Sequence, residues 1–196
     1  DGQLCASLDL ADPIRASSAG AVRQLQARGL RIVLLTGDQP TTARSVASSL
    51  GITEVIAGVL PDGKLDAIRN LRASGQTVAM VGDGINDAPA LAAADAGIAV
   101  GTGSDAARFA AALVLLRPDP ELVPRALTLA SATVRVMRQN LFWAFAYNAA
   151  MIPLAAGALS PWTGWTLSPV LASAAMSLSS ITVILNSLRL TRTRLE

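Results

Sequence analysis

The amino-acid sequence predicts an incomplete α/β domain built on a parallel sheet, followed by two transmembrane α-helices. Two observations carry that expectation. From Leu4 to Leu115, short apolar runs alternate with amphipathic stretches, the pattern of βαβ units that assemble a parallel sheet. From Gln139 through Leu188 there is no Asp, Glu, Lys or Arg, although before Arg138 charges of both signs recur every few residues. The 52% hydrophobic content is therefore concentrated at one end of the chain.

The apolar runs predict strands near Ala6–Leu10, Arg31–Leu35, Glu54–Ala57, Thr77–Val81, Gly97–Val100 and Ala112–Leu115. Helices fall between them. Val22, Leu25 and Gln26 lead to Gly29, a helix-ending glycine, and Leu65, Ile68 and Leu71 recur at helical spacing. Ligands of open α/β sheets gather at the carboxyl ends of strands, so chemistry is expected in the loops after Leu35 and Val81. Residues 1–119 form the sheet domain, 120–140 a linking helix, 141–188 the two membrane spans and 189–196 a tail. The uncharged runs Leu141–Leu159 and Pro169–Leu188 each approach the roughly 20 residues a helix needs to cross hydrocarbon. Between them, Ser160–Ser168 holds Pro161, Trp162, Gly164 and Trp165 and no charge, while Arg135, Arg138, Arg189, Arg192 and Arg194 flank the outer ends. By the positive-inside rule both flanks, and with them both ends of this chain, are cytoplasmic. A buried helical hairpin of a large soluble protein is the competing reading of the same two runs.

Composition excludes several classes of function. A net charge of +2 is a small surplus of arginine, not a basic face for gripping nucleic acid, so no nucleic-acid partner is expected. One cysteine, Cys5, and no histidine leave neither an internal disulfide nor a Cys/His zinc cluster. No signal peptide is visible, and the abrupt opening Asp1-Gly2-Gln3 is expected of a piece of a longer chain.

Thr36-Gly37-Asp38 follows an apolar strand, placing a hydroxyl, a permissive glycine and a carboxylate at its carboxyl end. On these residues alone, a structural turn into the next helix is the more ordinary explanation. The run Met80-Val81-Gly82-Asp83-Gly84-Ile85-Asn86-Asp87-Ala88-Pro89-Ala90-Leu91 is more specific. Its glycines let backbone approach a ligand, and its two aspartates offer hard oxygens suited to Mg²⁺. Lys64, in Leu60-Pro61-Asp62-Gly63-Lys64, is the only lysine among sixteen basic side chains. On composition alone, a chance survivor and a site that needs a compact ammonium explain it equally.

Gly82–Leu91 resembles the hinge motif of the P-type ATPases, a branch of the haloacid-dehalogenase superfamily, and Thr36–Asp38 resembles the threonine-glycine-aspartate motif that precedes it there. The resemblance implies a haloacid-dehalogenase-like phosphorylation domain, in which ATP phosphorylates an aspartate and the aspartyl phosphate is then hydrolysed with Mg²⁺ bound. It implies Asp83 as Mg²⁺ ligand with Asp87 supporting it, and Lys64 and Asn86 on the phosphoryl oxygens. Thr36, Gly37 and Asp38 would meet the phosphate or nucleotide. The family's acidic residue before the lysine is replaced here by Gly63, and the nucleophilic aspartate-lysine-threonine-glycine-threonine motif does not occur in this chain. The fragment alone is therefore expected to be inactive, its partners being the upstream domains of one longer chain.

Tyr147-Asn148 and Met176-Ser177-Leu178-Ser179-Ser180 are similar to the patterns of copper(I) pumps, which implies a copper(I) site using Tyr147, Asn148, Met176 and Ser180. Thioether sulfur suits copper(I), and Met176 and Ser180 share a helix face. Packing by a flexible Met and small serines is the bland alternative. The resemblance further implies membrane lipid as surroundings, a bacterial inner membrane as location and a metallochaperone as copper donor. Two other functions compete: a pump for zinc or cadmium, and a soluble haloacid-dehalogenase-type phosphatase. The phosphatase has no use for two charge-free spans, and Asp12-Pro13-Ile14-Arg15 lacks the second aspartate it would need after Asp12.

Overall fold

The computed structural model describes residues 13–83, 85–101, 105–164 and 168–193. The expected strand Ala6–Leu10, Gly84, Trp165 and Arg194 lie outside them. The chain divides into two compact units, Asp1–Pro124 and Arg125–Glu196.

The first unit alternates helices and strands in the order α1 (Ala16–Ala27), β1 (Val33–Leu35), α2 (Pro40–Leu50), β2 (Glu54–Ile56), α3 (Pro61–Ala73), β3 (Ala79–Gly82), α4 (Ala88–Ala93), β4 (Ala96–Val100), α5 (Asp105–Ala110) and β5 (Leu113–Leu115). Local chemistry accounts for the boundaries. Pro40 and Pro61 sit in the first turns of α2 and α3, where a missing N–H costs nothing. Gly51 ends α2 in the left-handed region at φ 71°, and the next amide, Ile52 N–H, donates to Ala47 O at 2.8 Å. Asp62 in the first turn of α3 and Arg72 in its last complement the helix dipole.

All described strand pairs are parallel, but they form two sheets, β1-β2 and β3-β4-β5. Among the described residues no hydrogen bond joins β1 to β3. A slot of about 630 Å³ lies between them, lined along its length by Ile32–Leu35 on one side and Thr77–Asp83 on the other. The amino end of that slot is spanned by Arg31, which grips Glu54 with two guanidinium nitrogens and donates to Gln76 Oε1 at 2.9 Å.

The core of this unit is Ile68 of α3, Met80 of β3, and Ala90 and Leu91 of α4. α4 lies hard against β4, because a Cβ on Gly97 would stand 2.5 Å from the carbonyl oxygen of Leu91. Only glycine permits that approach.

The second unit holds most of α6 (Leu122–Ala155), the single turn α7 (Ser160–Thr163), α8 (Pro169–Leu188) and a 3₁₀ turn, Arg189–Arg192. α6 is one unbroken helix of 34 residues with Pro153 inside its last turn. Ser168 caps α8, accepting from Leu171 N–H at 3.3 Å. One helical stretch among the described residues, Val170–Arg192, is long and apolar enough to cross a membrane. α6 does not meet that measure, since Gln139, Asn140, Tyr147 and Asn148 interrupt its apolar run and the helix ends at Ala155 rather than Leu159.

Candidate functional site

β3 delivers the candidate site. After Gly82 the chain passes Asp83 and turns through the 3₁₀ segment Ile85–Asp87 into α4, with Pro89 in its first turn. Asp87 is 7% exposed, a buried carboxylate at the foot of the sheet's carboxyl edge. Its partner comes from the first turn of α3, where Lys64 Nζ donates to Asp87 Oδ1 at 2.7 Å. Both side chains are largely screened from solvent, at 18% and 10% exposure. A buried charge is tolerable only when paired in this way.

Gly82 is required by the same geometry. A Cβ there would lie 2.8 Å from Asp87 Oδ2 and 2.9 Å from its Cβ, so any side chain would push the carboxylate aside. With Oδ1 taken by Lys64, Oδ2 remains beside the backbone of the strand end. Asp83 is exposed, and it lines the same slot as Lys64 and Asp87. Two hard carboxylates lining one slot, one of them exposed, are donors of the kind that Mg²⁺ takes, since it uses one or two protein carboxylates and leaves its other positions to water and phosphate.

Thr36 and Asp38 form a separate small knot where β1 ends. Thr36 Oγ1 donates to Asp38 Oδ2 at 2.9 Å, and Asp38 N–H donates back to Thr36 Oγ1 at 3.1 Å. The β2–α3 loop closes over it, with Gly58 N–H donating to Asp38 O at 2.9 Å and Val59 N–H to Thr36 O at 3.2 Å. A Cβ on Gly37 would come within 3.3 Å of Val59 O. Leu35, immediately before the knot, lines the slot with Lys64, Asp83 and Asp87, whereas Thr36, Asp38 and the exposed Asn86 do not.

In the second unit, Tyr147 and Asn148 lie on α6 and Met176 and Ser180 on α8. Asn148 Nδ2 donates to Ala144 O at 2.9 Å and Ser180 Oγ to Met176 O at 3.4 Å, each within its own helix. Met176 is 68% exposed. Tyr147 packs its ring 6.4 Å from that of Trp143. Among the described residues no hydrogen bond joins the two pairs. What does join α6 to α8 is a polar cluster that the sequence reading passed over. Asn186 Nδ2 donates to Asn140 Oδ1 at 2.8 Å and to Gln139 Oε1 at 3.3 Å, while Asn140 Nδ2 donates to Ser187 Oγ at 2.9 Å. Amides inside a charge-free run were the available signal, because a buried amide needs partners.

Residues 1–95 match the family model described as haloacid dehalogenase-like hydrolase. The chain is 53% identical over 190 residues to copper-transporting ATPase 1 of Rhizobium meliloti, covering 97% of this chain and 23% of the relative. It is 54% identical over 195 residues to the silver exporting P-type ATPase of Salmonella typhimurium, covering 100% and 24%. The chain thus spans about a quarter of the length of these curated relatives. A solved structure of a zinc-transporting PIB-type ATPase in the E2.Pi state matches with a TM-score of 0.79 and 37% identity, over 91% of this chain and 28% of that one. The catalytic domain of a CPx-ATPase, CopB-B, matches with a TM-score of 0.52 and 34% identity, over 56% and 43%.

Proposed function

This chain belongs to the heavy-metal P-type ATPase family, and from that premise we propose that it is part of an ATP-driven copper(I) pump, supplying phosphate-handling groups and two membrane helices. The observation that carries the reading is the Lys64–Asp87 pair, which lines the slot beside β3 together with Asp83. A compact ammonium and two carboxylates, held on a rigid strand end and a helix start, are groups that phosphoryl transfer needs in fixed positions.

Each residue has a part in that reading. Lys64 holds Asp87 now and presents its remaining N–H donors toward phosphoryl oxygens at the slot mouth. Asp83 and Asp87 supply hard oxygens for Mg²⁺, whose contribution when bound is to neutralise charge on the phosphoryl group. Asn86, exposed on the 3₁₀ turn, offers an amide donor, and the Thr36–Gly37–Asp38 knot offers a hydroxyl and backbone N–H groups to phosphate or nucleotide. The aspartate that accepts the phosphoryl group comes from elsewhere in the longer protein, as does the rest of the ATP site.

α6 and α8 are the two spans, with the arginine-bearing ends and the first unit on the cytoplasmic side of a bacterial inner membrane. Copper(I), handed over by a metallochaperone, would be met by Met176, Tyr147, Asn148 and Ser180 as α6 and α8 are brought together by helices of the rest of the protein. The ligand chemistry favours copper(I), because between Glu121 and Glu196 the chain has no carboxylate for a hard divalent ion. Zinc is the second reading, supported by the likeness to the zinc-transporting structure.

The test uses the full-length parent protein. Asp83→Ala is expected to abolish Mg²⁺-dependent ATP hydrolysis, and Met176→Ile to lower copper(I)-stimulated hydrolysis and copper(I) stoichiometry with the fold intact. Stimulation of the unaltered parent by zinc but not copper(I) would replace the copper reading. Near-normal hydrolysis by Asp83→Ala would remove the phosphoryl-site assignment.

A further inference from the structure

We infer that Arg135, Arg138, Arg189 and Arg192 form a band that binds the phosphate groups of anionic phospholipids, with the Asn140–Asn186 cluster holding its two halves in register. The inference rests on the membrane reading proposed above. It begins from charge. Of fourteen acidic residues, all but Glu196 precede Leu122, so nothing from Leu122 to Leu195 offsets the arginines there. The net positive charge of the chain thus belongs to its second unit.

The cluster decides where those arginines stand. Asn186 and Ser187 of α8 bond Gln139 and Asn140 of α6, which places residue 140 beside residues 186 and 187 in a hairpin whose two helices run in opposite chain directions. Counted away from that contact in opposite chain directions, Arg138 on α6 faces Arg189, and about a turn farther out Arg135 faces Arg192 at the end of the 3₁₀ turn. All four are exposed. Arg189 is also tied into the cluster, its Nη1 donating to Asn186 Oδ1 at 3.2 Å. The apolar stretch starts immediately beyond, at Leu141 on α6 and at Leu188 on α8.

Four guanidinium groups in two tiers about 5 Å apart at the end of a charge-free hairpin therefore sit where lipid headgroups lie. Each can take a phosphate with two parallel N–H bonds, a geometry that an ammonium does not reproduce. A topology signal alone asks only for positive charge on one side of the membrane. It does not ask for neutral amides that join two helices beside the arginines.

The experiment takes the full-length parent in neutral detergent and titrates it with phosphatidylglycerol or phosphatidylcholine, counting bound lipid by native mass spectrometry. The parent is expected to prefer phosphatidylglycerol. Each arginine near an anionic surface is worth about fivefold in affinity, so Arg138→Gln with Arg189→Gln should weaken phosphatidylglycerol binding on the order of twenty-fold. Arg138→Lys with Arg189→Lys should weaken it less, and Arg23→Gln in the first unit should leave it unchanged. Asn186→Leu retains every arginine and should still reduce the preference, because the two halves lose their register. Equal binding of the two lipids by the parent, or an unchanged preference in the double Gln variant, would overturn the inference. So would displacement of phosphatidylglycerol by an excess of inorganic phosphate, which would make free phosphate the ligand. Alkaline extraction of the same membranes separates the premise: a parent released as soluble protein would refute the membrane reading itself, whereas a retained parent without lipid preference refutes only the band.

Discussion

At the scale of single residues, Lys64 and Asp87 are the pair on which the proposed chemistry turns. Their 2.7 Å contact is largely buried, so replacing Lys64 by Met leaves a carboxylate in a poor dielectric without its partner. Losing one member of such a pair costs about 3 kcal/mol or more. Lys64→Met in the full-length protein is therefore expected to lower both thermal stability and ATP hydrolysis. Lys64→Arg should restore little of the hydrolysis, because a planar guanidinium does not fit where an ammonium is held against Asp87 Oδ1. Hydrolysis near the unaltered level in Lys64→Arg would show that charge alone suffices. Gly82→Ala tests the same corner from the backbone side. Its Cβ would displace Asp87, so Mg²⁺-dependent hydrolysis should fall while copper(I) binding by the membrane helices is unchanged. Lys64 stood out in the sequence only as a lone lysine. Its buried partner could not be read there, because residues 64 and 87 meet through the packing of α3 against the β3 loop.

At the scale of elements, the sheet is held to its helices by close approach and by charge. Gly97→Ala would put a methyl group 2.5 Å from Leu91 O, and the forced separation of β4 from α4 should cost about 1–3 kcal/mol, read as a lower melting temperature of the full-length protein. Asp95 anchors the entry to β4. Val78 N–H donates to its carboxylate at 2.9 Å and Arg72 adds a 2.8 Å ion pair, and together they hold Asp95 below its ordinary carboxylate range. Arg31 lowers Glu54 in the same sense at the amino end of the slot. A depressed folded-state value stabilises the fold above the unfolded value, and that contribution is lost as pH falls through the folded one. Resistance of the first unit to pulse proteolysis in the intact protein should thus decline as pH drops below the ordinary carboxylate range. Asp95→Asn should flatten the decline, and an identical pH profile would remove Asp95 from this role. Strand positions from β1 to β5 were legible because short apolar runs bounded by turn residues have few other uses. The single helix from Leu122 to Ala155 was less so, since no local signal marks where a mixed helix turns into an apolar one.

At the scale of the whole molecule, the slot between β1 and β3 divides the described strands into two sheets. Among the described residues no strand-to-strand hydrogen bond crosses it; Arg31 bridges its amino end, and Leu35 of β1 packs against the cluster that holds Met80 of β3. Residues 1–119 expressed alone are expected to lack a cooperative melt, and co-expression with the preceding part of the full-length protein should restore one, because a supplied strand would satisfy both open edges. A sharp two-state melt of residues 1–119 alone would show that no strand is missing. By itself the sequence determined the alternation of strands and helices, the glycine-aspartate loop after β3 and the charge-free stretch after Arg138, all of which are written in local periodicity and residue type. Only the tertiary structure decided that Asp87 is the buried partner of Lys64, that Thr36 and Asp38 bond each other, that a strand-long gap separates β1 from β3, and that Asn140 meets Asn186. Apart from the local Thr36–Asp38 bond, those contacts join residues twenty-three to forty-six positions apart through the packing of separate elements, and no local pattern encodes where such packing ends.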